Sequence, residues 1–352
     1  MAQKDVEKIN EIDLCVGTNE KIKIVQLVEK YLSDKNNNIE IDDVFEEKNY
    51  SDFGSITYTE KTRAVIKVQD GCDRFCSYCI IPYARGRVRS RKPESVVSEI
   101  IEIANSGIKE VVITGIHVAS YGKDFSNEYG LIDLLEEINK IDGIERIRLG
   151  SIEPLMITDE FIYRSLKLDK LCHHFHLSLQ SGCTATLKRM NRRYTIEGFE
   201  EIVKRIRNNY NDAILTTDII VGFPGESDEE FNQTYEFLKR IKFYKMHIFK
   251  YSIRQGTKAA EMKNQIDSVI KEKRSDKLLE LSDNNEKEYL EENIGEMTKV
   301  LFEEKVGEFW KGHTSNYLSI KVKSLDNLTN KIELVKIKGI DGLELVGEIV
   351  QH

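Results

Sequence analysis

The chemistry in this sequence is concentrated in one run, Cys72-Asp-Arg-Phe-Cys76-Ser-Tyr-Cys79, which holds three of the six cysteines within eight residues. Cysteine thiolates hold iron–sulfur clusters, and a four-iron cube takes one ligand on each iron. Three protein ligands leave one iron open, which suits a cluster that must bind and reduce something. The alternative is a structural zinc knot, completed by a distant fourth ligand such as Cys172 or a histidine.

Other candidates are spread along the chain in short segments. Thr114-Gly115-Ile116-His117 puts a glycine where backbone can approach a ligand closely. Gly150-Ser-Ile-Glu153-Pro154 offers a carboxylate able to accept hydrogen bonds from a ribose. Leu177-Ser-Leu-Gln180-Ser-Gly182 offers an amide, and Asp218 precedes the turn Gly222-Phe-Pro-Gly-Glu226. For each polar residue a supporting or helix-capping role is the plainer reading. His117, His174 and His176 could ligate a metal; with a cysteine set close by they read as lining an interior, His174 and His176 on one face of a strand. Cys15, Cys172 and Cys183 have no ligand spacing and read as ordinary buried thiols.

These residues need a scaffold, and the pattern supplies one. Strands are expected at Ala64–Val68, Glu110–Thr114, Arg146–Leu149, His174–Leu179, Leu215–Val221 and Met246–Tyr251. Helices are expected between them: Pro93–Ser106, Leu131–Ile141, Asp159–Leu168, Ala185–Met190 with Ile196–Asn208, and Glu229–Ile241. Strands alternating with helices imply an α/β fold, a parallel sheet with helices outside. Chemistry then sits at strand C-termini, and the cysteine run follows the first strand directly. Before this unit, Val6–Ile12 and Lys21–Tyr31 have helical spacing around a short strand at Ile12–Val16, the second helix carrying Ile24, Val25, Val28 and Leu32 on one face. Residues 34–57 read as a polar linker. After it, Asp267–Glu292 reads as a charged helical connector. Thr298–Phe302, Leu318–Lys323, Ile332–Ile337 and Leu345–Ile349 then read as a small antiparallel β-barrel, in which Trp310 and Tyr317 are candidates for base stacking or for the core.

Composition sets limits. At 352 residues, 40% hydrophobic and 32% charged, the chain can bury a sizeable core. It has no apolar run approaching the ~20 residues of a membrane span and no signal-peptide core at its start, so a cytoplasmic location without membrane contact is expected. The net charge of −8 argues against indiscriminate nucleic-acid binding. Lysines and arginines nevertheless cluster over 61–92, and again at Lys188, Arg189, Arg192 and Arg193, where they could hold phosphates.

The spacing of the cysteines, followed by Ile80-Ile-Pro-Tyr-Ala-Arg-Gly86, resembles the radical S-adenosylmethionine (SAM) enzymes. Thr114-Gly-Ile-His117, Arg146-Ile-Arg-Leu-Gly-Ser-Ile-Glu-Pro154, His176-Leu-Ser-Leu-Gln-Ser-Gly182, Leu187-Lys-Arg-Met-Asn-Arg-Arg-Tyr194 and Ile220-Val-Gly-Phe-Pro-Gly-Glu226 extend the match, which is most similar to the tRNA methylthiotransferase branch acting on N6-threonylcarbamoyladenosine at position 37. The resemblance implies a (β/α)6 partial TIM barrel over 58–290, a TRAM-like β-barrel over 293–352, and over 1–50 a remnant of an N-terminal α/β domain. It implies a 4Fe–4S cluster on Cys72, Cys76 and Cys79 with SAM on the open iron, and SAM contacts from Tyr78, Gly115, Glu153, Gln180 and Asp218. It also implies a tRNA anticodon loop as partner, a flavodoxin- or ferredoxin-type electron donor, and a sulfur donor it does not identify. Family members carry a second, auxiliary 4Fe–4S cluster on three further N-terminal cysteines. The first residues here align after the last of those, so a truncated member with impaired sulfur insertion is expected. The remaining readings are the same chemistry on isopentenyladenosine-37 or a ribosomal protein, and a non-catalytic tRNA- or SAM-binding homologue.

Overall fold

The computed structural model describes residues 9, 11–18, 20–34, 38–40 (backbone only), 43–52, 54 and 62–350. Near the N-terminus β1 (Leu14–Val16) leads through a short 3-10 turn into α1 (Ile24–Asp34), and β2 (Asn38–Glu40) returns parallel to β1 with Leu14 against Asn38. This corrects the reading of 34–57 as linker alone: Asn-Ile-Glu has little strand preference of its own, and the backbone of β1 makes it a strand. In α1 Leu27 is buried, whereas Ile24, Val25, Val28 and Leu32 are exposed. The helix expected over Val6–Ile12 falls largely outside the described residues.

From residue 63 strands and helices alternate. They are β3 (Arg63–Asp70), α2 (Ile81–Arg85), β4 (Arg89–Ser90), α3 (Pro93–Asn105), β5 (Glu110–Gly115), α4 (Leu131–Asn139), β6 (Arg146–Leu149) and α5 (Asp159–Ser165). There follow β7 (His174–Gln180), α6 (Thr184–Arg189), α7 (Ile196–Asn209), β8 (Ile214–Val221), α8 (Asp228–Ile241) and β9 (Lys245–Lys250). β3, β5 and β6 form one parallel set, with β4 antiparallel on the outer edge of β3; β7, β8 and β9 form a second. Parallel bridges from Ile147 to Leu171 and from Ile152 to Leu177 join the two sets, so six parallel strands stand in chain order. Alternate strand residues such as Ile66, Ile113 and Leu177 pack with helix residues such as Ile100, Leu134 and Phe199 in one core. The intervening strand residues face a lumen.

Local chemistry fixes the helix starts. The Thr158 and Thr195 hydroxyls accept from the Phe161 and Gly198 amides at 3.1 and 3.2 Å. Ser227 and Glu230 form a reciprocal capping box at the start of α8. Ser227→Ala is expected to cost about 1 kcal/mol, read as a lower midpoint in chemical denaturation with an unchanged slope.

The connector is α9 (Ser268–Glu292), which lies along β9. The Ser282 hydroxyl accepts from the Met246 amide at 2.9 Å, and the Asn285 amide donates to the Phe243 carbonyl at 3.1 Å. A long edge strand is thereby covered. Beyond it, β10 (Met297–Val306), β11 (Phe309–Thr314), β12 (Ser319–Lys323), β13 (Ile332–Asp341) and β14 (Glu344–Ile349) close a barrel in the order β10-β11-β12-β14-β13. Two features correct the expectation. β12 and β14 pair in parallel, so the barrel is not wholly antiparallel. β11 was not anticipated, because Gly312 interrupts its apolar pattern. The glycine is required: a Cβ there would stand 2.2 Å from the Leu301 carbonyl oxygen, where β10 bulges. Trp310 lies in this barrel's core beside Phe302, Ile320 and Val335.

The small barrel docks on the N-terminal ends of the parallel strands. Arg146 donates to the His313 and Lys299 carbonyls at 2.8 and 2.9 Å. Arg148 donates to the Ser315 carbonyl at 3.0 Å and to Glu110 at 2.7 Å. Tyr317 stacks between His174 and His313, with ring centroids 4.9 and 4.8 Å away. Tyr317 therefore packs a joint. Burial pushes His174 down to about 3, so it stacks there as a neutral ring.

Candidate active site

The cysteine loop leaves the C-terminal end of β3, at the opposite end from the small barrel. Its entry needs Gly71, whose φ is +71° and whose Cβ would overlap the Arg87 carbonyl. Cys72 N donates to Gly86 O at 3.0 Å, and Cys79 N to Cys76 O at 2.9 Å. The turn after α6 clamps the loop from above: Ser77 Oγ donates to Arg189 O at 2.8 Å and Asn191 Nδ2 to Phe75 O at 2.9 Å. Behind the loop, Tyr78 packs edge-on against Phe223 at 6.5 Å.

All three thiols are unpaired. Burial pushes Cys72 up to about 11 and raises Cys79 as well, and Cys76 adds to both shifts through its charge. The sulfurs are thus within electrostatic reach of one another, as ligands to one cluster must be. Thiols raised by burial ionise only with positive charge beside them, and Arg192 supplies it. Its Nη1 lies 3.4 Å from Cys76 Sγ while Nε and Nη2 donate to Tyr194 Oη at 2.9 Å and Ser178 O at 3.0 Å. Burial works against the charge of Arg192, but Tyr194, Tyr78 and Cys76 raise its pKa further. These residues fit an anionic iron–sulfur cluster. Cys172 does not belong to the set: its amide bonds Ile147 O, and its electrostatic neighbours are Arg148, Glu110 and Arg146 at the far end of the strands. A zinc knot completed by Cys172 is excluded on that ground.

The loops after β5 and β6 meet beside the cysteines. Glu153 is 5% exposed; it pairs with Arg74 and, at 3.1 Å, with His117 Nε2. Burial opposes its charge, but His117, Arg74 and Arg192 hold the carboxyl below the usual range. His117 is fixed from its other side by Ser120 Oγ at 2.8 Å, and its amide donates to Gln69 Oε1 at 2.7 Å. Gly115 lies over Gln69, where a Cβ would come to 3.0 Å. Gln180 ends β7 with φ at +74°, a conformation costly for a side-chain-bearing residue and typical of a site held by its surroundings. Gly182 follows because a Cβ would meet Thr234 of α8 at 2.9 Å.

Of the residues singled out in the sequence, Cys72, Cys76, Cys79, Tyr78, Gly115, Glu153 and Gln180 lie at the C-terminal ends of the parallel strands or in the loops that follow them. Asp218 differs. Its carboxylate turns to His176 Nε2 at 3.1 Å on the lumen wall, and His247 of β9 joins them. His174 and His176 do line the interior, both against Thr216 Oγ1 at 2.9 Å; His117 does not, since it belongs to the loop after β5. Cys172 and Cys183 are buried, whereas Cys15 is half-buried. Sequence reasoning left out His247, Gln69 and Thr216, and took Arg74 and Arg192 only as members of basic clusters. Most of the partners that matter for the site are far away in the chain, as Cys76 is from Arg192 and His117 from Gln69, and the one local signal is the alternation of polar residues along each strand.

The family model for the radical SAM superfamily matches residues 66–238. The threonylcarbamoyladenosine tRNA methylthiotransferase MtaB of Bacillus subtilis is 38% identical over 95% of this chain and 75% of that protein. The protein of that name from Aquifex aeolicus is 41% identical, over 90% of this chain and 76% of that one. The tRNA-2-methylthio-N(6)-dimethylallyladenosine synthase of Thermoanaerobacter sp. (strain X514) is 38% identical, over 98% of this chain and 74% of that one. The chain belongs to the radical SAM tRNA methylthiotransferases, and so to the transferases that use tRNA as substrate. Among the described residues, no helix is long and apolar enough to cross a membrane.

Proposed function

We propose that the chain acts on N6-threonylcarbamoyladenosine at position 37 of a tRNA anticodon loop, towards the 2-methylthio derivative, with sulfur insertion impaired because Cys15, Cys172 and Cys183 form no second cluster site. One observation carries the choice of substrate. Lys123, Arg193 and Arg74 border a small cavity beside the cysteine loop; Asp73 and Asp124 line it too, but Asp73 is paired with Arg87 and Asp124 accepts from the Ser90 amide. Burial lowers the Lys123 pKa and repulsion from Arg74 and Arg193 lowers it further, with the Glu153 carboxylate offsetting part of this. Among the described residues neither Lys123 nor Arg193 has a carboxylate partner within ion-pair distance. The threonylcarbamoyl group ends in a carboxylate. A dimethylallyl group is hydrocarbon, and would desolvate two cations with nothing in return. The names of two of the relatives agree with this reading.

A 4Fe–4S cluster with SAM on its open iron supplies the one-electron chemistry that activates an unreactive carbon–hydrogen bond. The chain's own residues hold and shield it. Cys72, Cys76 and Cys79 are its ligands, and Arg192 offsets their charge. Gly115 lets backbone approach the methionine end of SAM, Glu153 and Gln180 accept from or donate to its ribose side, and Tyr78 backs the site. Asp218, turned towards His176, is left out of that set. A flavodoxin- or ferredoxin-type protein is the electron donor, and the barrel of 297–349 is the TRAM-like part that holds RNA.

Nucleosides from cells with and without the gene test the substrate. Loss of 2-methylthio-threonylcarbamoyladenosine with the dimethylallyl product unchanged is expected; the reverse pattern overturns the proposal. Lys123→Ala with Arg193→Ala is expected to raise KM for the modified tRNA about tenfold or more, because each charged hydrogen bond contributes ~1.5–3 kcal/mol. Steady-state kinetics on tRNA with and without the threonylcarbamoyl group separate this from general loss of RNA affinity.

A further inference from the structure

We propose that His176, Asp218 and His247 bind one divalent transition-metal ion of the zinc class on the wall of the lumen. One ligand atom from each residue lies within 4.8 Å of the other two. Three points so spaced lie within about 2.8 Å of a common centre, and small rotations of the imidazoles close this to the ~2.0–2.2 Å of zinc–nitrogen and zinc–oxygen bonds. His176 Nε2 and Asp218 Oδ2 are already 3.1 Å apart. Two such ligands around a tetrahedral ion stand ~3.3 Å apart.

Three adjacent strands present the triad, with Asp218 and His247 level with each other and His176 two residues nearer the strand N-termini. Asp218 is the register partner of His247, and His176 that of Thr216. The backbone therefore fixes the ligands before any ion enters. The Thr216 hydroxyl, 2.9 Å from His176 Nδ1, holds that ring with Nε2 towards Asp218. Metal-binding histidines are held through their second nitrogen in the same way.

The charge pattern agrees. Among the described residues Asp218 has no lysine or arginine partner, and Lys245 on the same wall is taken by Glu286 at 3.1 Å. A half-buried carboxylate flanked by two imidazoles is a ligand set of the kind that leaves a coordination position open. That position would face a cavity of about 660 Å³ bordered by Ser151 and Phe249. Nitrogen-rich ligands select a borderline transition metal over magnesium or calcium. The site is separate from the cysteines, since His176 stands four residues before Gln180 on β7.

The test uses the full chain in two forms: with its cluster reconstituted, and as the variant Cys72→Ala/Cys76→Ala/Cys79→Ala, which removes thiols that would compete for zinc. Zn2+ alone is titrated by calorimetry, and bound metal is counted after desalting. One zinc per chain is expected in both forms, with a higher melting temperature. His247→Ala and Asp218→Asn are each expected to weaken binding at least about 100-fold, against the ~10–100-fold expected of Thr216→Val. His247 is exposed and Asp218→Asn is isosteric, so one folded variant suffices for the comparison. No stoichiometric zinc in the triple-cysteine variant overturns the proposal, as does unaltered affinity in both ligand variants.

Discussion

Cys76→Ala is expected to yield a folded chain that retains almost no iron after anaerobic reconstitution and whose SAM cleavage falls at least about 1000-fold, because ligands to one cluster act as a unit. Cys76 is the thiol to choose because its Sγ faces Arg192 at 3.4 Å. Removing it deletes a ligand and also strands a buried cation beside a methyl group. Arg192 keeps Tyr194 and Ser178 O as partners, so the fold should survive. Iron, sulfide and the visible absorption of the cluster give the readout independently of turnover. Cys172→Ala is the control. That thiol lies at the other end of the strands, so the variant should retain its iron. Equal iron loss in both variants would sink the ligand assignment.

Arg148→Ala is expected to produce the largest loss of stability, about 3–5 kcal/mol, because it removes one partner of a buried ion pair. Glu110 is 1% exposed and Arg148 4% by side chain. The guanidinium also donates to the Thr314 and Ser315 carbonyls and lies 4.7 Å over the Tyr317 ring. Arg146 stays 3.7 Å from Glu110, which is too long to replace the lost bond. The chain has one tryptophan, Trp310, and it lies in the small barrel. Its fluorescence therefore follows the small barrel, while circular dichroism follows the whole chain. In wild type the two transitions should coincide; in Arg148→Ala the fluorescence transition should come at lower denaturant. Coincident transitions in the variant would mean that the joint contributes little.

Much of this was legible in the sequence, for identifiable reasons. Most of the six parallel strands carry Val, Ile or Leu at alternate positions between helical periods, and each was located to within two residues. The cysteine spacing declared its chemistry because its ligands are local. What remained hidden depends on distant pairings. Glu153 meets Arg74 and His117 across 79 and 36 residues, so no window of sequence contains that cluster. His247 sits in Lys-Met-His-Ile-Phe-Lys with no ligand near it in the chain. β2 and β11 were missed because a neighbouring backbone, rather than their own composition, makes them strands. The exposed face of α1 shows the converse: helical spacing places apolar residues on one side but does not say what covers them.

The small barrel and the cysteine loop occupy opposite ends of the same parallel strands. β3 carries Arg63, bound to Glu303 of the small barrel, at one end and Asp70, next to the cysteine loop, at the other. Seven residue steps along a parallel strand amount to about 23 Å. The sheet is in effect a ruler. A nucleotide reacting at the cysteine mouth cannot also be the one gripped by the small barrel, so any hold exerted there must fall on a different stretch of the same RNA. Lengthening or loosening the joint would change which nucleotide arrives at the mouth while leaving every residue of the mouth intact.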